Sequence, residues 1–214
     1  MRLLTRVMTY YPYVFHPITM IGGGTLLLIR QEWARQDAAR SALWRRVGVI
    51  FRAGLLALVP TVGYFAVTGA SVVESTMGNS WVMDALVGVG FAIAGGTTWY
   101  LWRRFAWGEL VPGAMVVLLA VTVPYVALSP FWNVSGHVIS ALLPALYLTL
   151  VDRTYWPLLS VPAVMVPNRV FPEAHTWPQV IGGALIAAAV TTGFYWRQND
   201  ASLRPHPEVT SLLD

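Results

Sequence analysis

The 214-residue chain has no cysteine and no lysine, and only 11% of its residues are charged. Without cysteine it has no disulfide, no thiolate nucleophile and no Cys-ligated metal. Without lysine it has no Schiff base, which excludes a retinal linkage, and no phosphate-loop lysine. All 14 basic residues are arginine, set against 10 acidic ones for a formal net charge of +4. Scattered along short connections, these arginines fit a membrane-topology signal better than a nucleic-acid patch, so no nucleic-acid partner is expected. Scarce charge beside 56% hydrophobic residues departs far from the roughly 25% charged average of soluble domains. The expected fold class is all-α, a polytopic bundle of transmembrane helices whose first partner is the lipid bilayer.

Seven apolar stretches lie at about 12–29, 47–68, 82–102, 110–129, 134–151, 155–171 and 178–196. Each approaches the ~20 residues that a helix needs to cross ~30 Å of hydrocarbon. Seven spans are therefore expected, or six, and the short stretch 155–171, which carries Pro157, Pro162 and Pro167, is expected to be kinked or tilted, since each proline removes a helical hydrogen bond. The first stretch follows Arg2 and Arg6 and lacks a small-x-small cleavage pattern, so it reads as a retained anchor. The segment "RQEWARQDAARSALWRR" is too charged to span; its Trp33 and Trp44 return to nearly the same helical face, as in an interfacial helix on the inner leaflet, the alternative being a solvated loop. A single domain, 1–196, is expected to end in a polar cytoplasmic tail, 197–214, that is flexible.

If the spans alternate, most of the arginines fall on one side, among them Arg35, Arg45, Arg46, Arg103 and Arg153. That side is cytoplasmic by the positive-inside rule. His137 and His175 then face outward. Helix five begins at Val134-Ser135-Gly136-His137, helix six ends at Asn168-Arg169, and His175 stands just before helix seven. Two short connections thus bring Ser135, Gly136, His137, Arg169, Glu173 and His175 to one edge of the bundle.

The chemistry of that set suits a phosphate. Arg169 offers a planar donor fork to phosphate oxygens. Backbone amides at the helix start favour an anion, and Gly136 lets it approach closely. Two imidazoles can serve as nucleophile and general acid near neutral pH. A metal could instead draw on His137, Glu173 and His175, yet no pair at helical i, i+4 spacing supports it, so no metal or cofactor is expected. His16, before Pro17, reads as a structural residue at the start of the first span.

In these residues the chain resembles the type 2 phosphatidic acid phosphatases, the integral-membrane lipid phosphate phosphatases. That family carries Pro-Ser-Gly-His at a helix start, where this chain has Val134-Ser135-Gly136-His137. It also carries Ser-Arg, five residues, His, three residues, Asp, where this chain has Asn168-Arg169, five residues, His175, three residues, Gln179. The resemblance covers about 130–196, within a phosphatase-like core of about 110–196. It implies His175 as a nucleophile forming a phosphohistidine and His137 as the acid that protonates the leaving lipid alkoxide. It further implies that Ser135, Gly136 and Arg169 hold the phosphate, with Gln179, Glu173 and Asn168 in support. The expected activity is a metal-independent phosphatase or phosphotransferase acting on a lipid mono- or diphosphate at the extracytoplasmic face of the cell membrane.

The chain departs from the family in three places. No Lys and Arg-Pro motif precedes the Ser-Gly-His segment, Gln179 stands for the family's Asp, and Val134 and Asn168 stand for Pro and Ser. The alternative expectation is a catalytically degenerate relative that binds anionic lipid or serves as a structural membrane subunit, in a homo-oligomer or with a membrane-complex partner.

Overall fold

The computed structural model describes residues 2–36, 38–70 and 80–203. The structure is all-α. Among the described residues there are eight α-helices: α1 (Arg2–Val14), α2 (Pro17–Ala34), α3 (Arg40–Thr68), α4 (Trp81–Arg104), α5 (Leu110–Leu128), α6 (Gly136–Val151), α7 (Ser160–Val170) and α8 (Trp177–Leu203). A 3-10 turn, Arg153–Leu159, joins α6 to α7. The helix α8 carries the chain seven residues beyond the expected tail boundary at 196; residues 71–79 and 204–214 lie outside the described residues.

Four helices, α3, α4, α5 and α8, are long and apolar enough to cross a membrane, and the pair α1 and α2 meets the same test only together, bent by 57°. These helices mark an integral membrane protein with four candidate spans among the described residues, or five with the bent pair. The expected seven spans, or six, are corrected accordingly.

The reasons are local. The 12–29 stretch is interrupted at Phe15-His16, where Pro17 opens a new helix with His16 as its N-cap. Helix α6 has 16 residues, which at 1.5 Å per residue is about 24 Å, short of the ~30 Å of hydrocarbon. It ends at Asp152, whose backbone is extended at φ −153°. The Asp152 carboxylate accepts from Thr154 N at 2.9 Å and from Gln31 Nε2 at 3.1 Å, which starts the 3-10 turn and ties it to α2. The 155–171 stretch is thereby divided between that turn, with Pro157 inside it, and an α7 of 11 residues. The charged segment at 30–46 is no separate interfacial helix; it closes α2 and opens α3.

The core is centred on α5 and α6. Helix α5 is apolar on all sides, the pattern of a helix surrounded by protein, and Val111, Val117, Leu118 and Val121 on it are buried with Leu143, Tyr147 and Leu148 of α6. Close approach needs small residues: a Cβ on Gly24 of α2 would lie 2.5 Å from Pro144 Cβ on α6, and one on Gly90 of α4 would lie 2.5 Å from the Ala57 carbonyl oxygen of α3. Helix α1 lies against α7, where Tyr11 donates to the Val161 carbonyl at 2.9 Å.

A buried polar cluster fastens the Glu32 end of the bundle. Glu32, 3% exposed, accepts from Trp102 Nε1 at 2.7 Å and from the Leu110 amide at 2.7 Å. The carboxylate from α2 thus caps α5 and holds α4 beside it, filling the space that a Cβ on Gly108, at φ +132°, would need. Arg46 of α3 donates to Gln36 at 2.6 Å and stacks over Trp107 at 5.7 Å from the ring centre.

Candidate functional site

At the opposite end three helices begin side by side around one cleft. His16 caps α2, Gly136 and His137 open α6, and His175 precedes α8; all four line a cleft of about 660 Å³ together with Arg169 of α7, Asn133 and Asp84. Successive turns of the helices carry its wall from this polar end past Ile21, Ile50, Leu58, Phe91 and Leu118. Helix starts present unpaired N–H groups and the positive end of the helix dipole, so the polar end favours negative charge even before side chains are counted.

His175 is 7% exposed. Its Nδ1 lies 3.2 Å from the carbonyl oxygen of Asn133. A carbonyl only accepts, so Nδ1 carries the proton and a neutral ring keeps its lone pair on Nε2. Burial, and then the charge of Arg169, hold the His175 pKa below the ordinary 6.5, against the opposing pull of the Asn133 bond, Asp84 and Gln179. The ring is therefore neutral at pH 7, with Nε2 available as a base or nucleophile.

His137 is pushed the same way, by burial first and then by Arg169, His16 and His175. Three cationic or potentially cationic neighbours add to the effect of burial, and a bound anion offsets their share of it. Arg169 has a buried Nε without a hydrogen-bond partner. Among the described residues it pairs with no carboxylate. An unpaired buried donor on a cation costs about 1–3 kcal/mol or more, a cost that an incoming oxyanion removes.

Other expected site residues stand elsewhere. Ser135 is fully buried, with its amide on the Gln179 carbonyl at 3.3 Å and its hydroxyl unpartnered; it is not among the described residues lining the cleft. Asn168 turns to α1, where its Nδ2 donates to the Met8 carbonyl at 2.5 Å, and so serves packing. Glu173 sits at φ +57° on the exposed turn before α8, outside the cleft. The metal set of His137, Glu173 and His175 does not assemble among the described residues. Gln179, by contrast, stays with the site: its side chain hydrogen-bonds to His175 and also accepts from the Thr176 amide at 2.9 Å, one half of a capping box at the start of α8.

Two residues enter the site unannounced. The ring of His16 meets that of His137 edge to face, with centroids 5.6 Å apart. Asp84, in the first turn of α4, accepts from Tyr125 at 2.5 Å and from the Ser129 hydroxyl, and its charge is felt at His175. The alternation of spans had already put His16 on the side of His137 and His175, and that was the available signal. Comparison with known protein families, characterised proteins and solved structures gives no match.

Proposed function

We propose that the chain is a membrane lipid phosphate phosphatase or phosphotransferase that works through a phosphohistidine and without a metal. The observation that carries this reading is the pairing of His175 Nδ1 with the Asn133 carbonyl, which leaves Nε2 unprotonated in a cleft that also holds His137 and an unpaired Arg169. In the reaction Nε2 attacks phosphorus, the bond from phosphorus to the lipid oxygen breaks, and His137 gives its proton to that oxygen. A water, deprotonated by the now neutral His137, then attacks the phosphohistidine and releases phosphate; an acceptor alcohol in its place gives transfer. The substrate's own negative charge opposes the repulsion from Arg169, His16 and His175 and so favours the protonated form of His137 that its role as acid requires, against the burial that lowers its pKa. The apolar wall below the site suits the chain of a lipid mono- or diphosphate.

Arg35, Arg45, Arg46, Arg103 and Arg153 stand at the helix ends on the Glu32 side of the bundle, and the positive-inside rule supports an extracytoplasmic site and a cytoplasmic C-terminus. A second reading, an anionic-lipid-binding or structural relative without turnover, is favoured by one observation: a backbone carbonyl, not a carboxylate, holds His175 Nδ1. The test is phosphate release from a panel of lipid phosphates in detergent without divalent metal. Release by the wild type that is lost in His175→Ala supports the enzyme; no release from any lipid by folded wild type supports the binding protein.

A further inference from the structure

The chemistry above uses two of the three imidazoles in the cleft and leaves His16 without a role. Its Nδ1 accepts from the Ile18 amide at 3.3 Å, as the side-chain cap of α2. A nitrogen that accepts carries no proton, so the neutral ring keeps its proton on Nε2. The cap therefore fixes both the ring's placement and its tautomer. It is the reverse of the tautomer at His175, where Nδ1 is the donor.

The two rings are thus set for opposite tasks. His175 offers a lone pair and His16 offers an N–H. Among the described residues no acceptor takes the His16 Nε2 proton, since the ring's contacts are the Ile18 amide and the edge-to-face packing on His137. The acidic side chain that lines the cleft, Asp84, already accepts from Tyr125 and Ser129. A neutral donor also suits the place, because a further full charge beside Arg169 and two imidazoles would raise the mutual repulsion of the empty site.

Resting on the phosphoryl reading given above, we infer that His16 is a phosphate-binding residue, whose Nε2–H donates to a phosphoryl oxygen from the α2 side of the cleft while Arg169 holds the group from the α7 side. With α2 contributing, the site takes donors from three separate stretches of chain, and the bend between α1 and α2 has a use: it stops one helix and starts another at the height of the anion.

Two amide variants separate this role from the capping role. Asn places an acceptor near Nδ1 and caps helices well, yet does not reach the Nε2 position. Gln places an N–H near Nε2 and loses the cap. The probe is orthovanadate, a phosphate-like anion, titrated by calorimetry into the purified full chain in detergent, with thermal unfolding measured on each variant. We expect His16→Asn to bind about tenfold or more weakly at an unchanged unfolding midpoint, and His16→Gln to bind close to wild type at a lowered midpoint. Wild-type affinity in His16→Asn overturns the inference, and it leaves the phosphoryl reading standing if His175→Ala still abolishes phosphate release. Wild type that neither binds orthovanadate nor releases phosphate from any lipid overturns both.

Discussion

His175 and Asn133 are joined by a 3.2 Å contact between ring nitrogen Nδ1 and a backbone carbonyl oxygen. The main chain thus supplies the acceptor for Nδ1, and Gln179 adds a side-chain hydrogen bond to the same ring. The Asn133 contact ties the start of α8 to the loop that leads into α6, so the position of the proposed nucleophile follows from the packing of the two helix starts.

Substitution of Arg169 tests whether the cleft holds an oxyanion. Arg169→Ala removes charge and fork together and is expected to lower kcat/KM for a lipid phosphate by about tenfold to a hundredfold, the equivalent of 1.5–3 kcal/mol. Arg169→Lys restores the charge without the bidentate geometry and recovers only part of the loss. Steady-state kinetics of the two variants check both statements; equal activity in wild type and Arg169→Ala would remove the phosphate site.

The His175 ring makes stability fall toward acid pH. Its folded pKa lies below 6.5, so below about pH 6.5 the unfolded chain binds more protons and unfolding becomes easier; above that pH the ring is neutral in both states and contributes no slope. Thermal unfolding of wild type and His175→Gln between pH 8 and pH 5 is the check. The glutamine variant is expected to show the shallower loss on the acid side.

Glu32 is expected to matter for stability and not for chemistry, since its partners Trp102 and Leu110 lie at the far end of the bundle. Glu32→Ala strips the cap from α5 and leaves two buried donors unpaired, for a cost of about 3 kcal/mol. Glu32→Gln keeps one acceptor oxygen and costs less. Unfolding in detergent measures the difference, with activity per folded molecule unchanged in Glu32→Gln.

Two glycines of α4 should respond to alanine in opposite directions. At Gly90 the new methyl meets the Ala57 carbonyl oxygen at 2.5 Å, so α3 must move away, at about 1–3 kcal/mol. At Gly96 nothing lies within 4 Å, and alanine adds up to about 1 kcal/mol of helix preference. Paired thermal melts of Gly90→Ala and Gly96→Ala decide it.

The helical class was legible because scarce charge and long apolar stretches leave few alternatives to a membrane bundle. The number of spans was not. Apolar length is blind to the break at His16-Pro17 and to the turn that Asp152 and Thr154 build, and both lie inside or beside stretches that read as continuous. His137, Arg169 and His175 were legible from spacing, which places them at neighbouring helix ends, and the structure gathers them in one cleft. Ser135 and Asn168 show where spacing stops: burial of Ser135 under α8 and the turn of Asn168 toward Met8 depend on contacts between segments far apart in sequence. His16 was hidden by its ordinary context, a capping residue before proline, and its partner ring on α6 is known only once the helices are packed.

The most direct test is to mix the purified protein with a lipid phosphate, quench rapidly under alkaline conditions that preserve phosphohistidine, and map the modified peptide by mass spectrometry. Phosphate carried by His175, and absent from His175→Ala, is the predicted result. Lipid turnover with an unmodified His175, or with phosphate on another residue, would contradict the account.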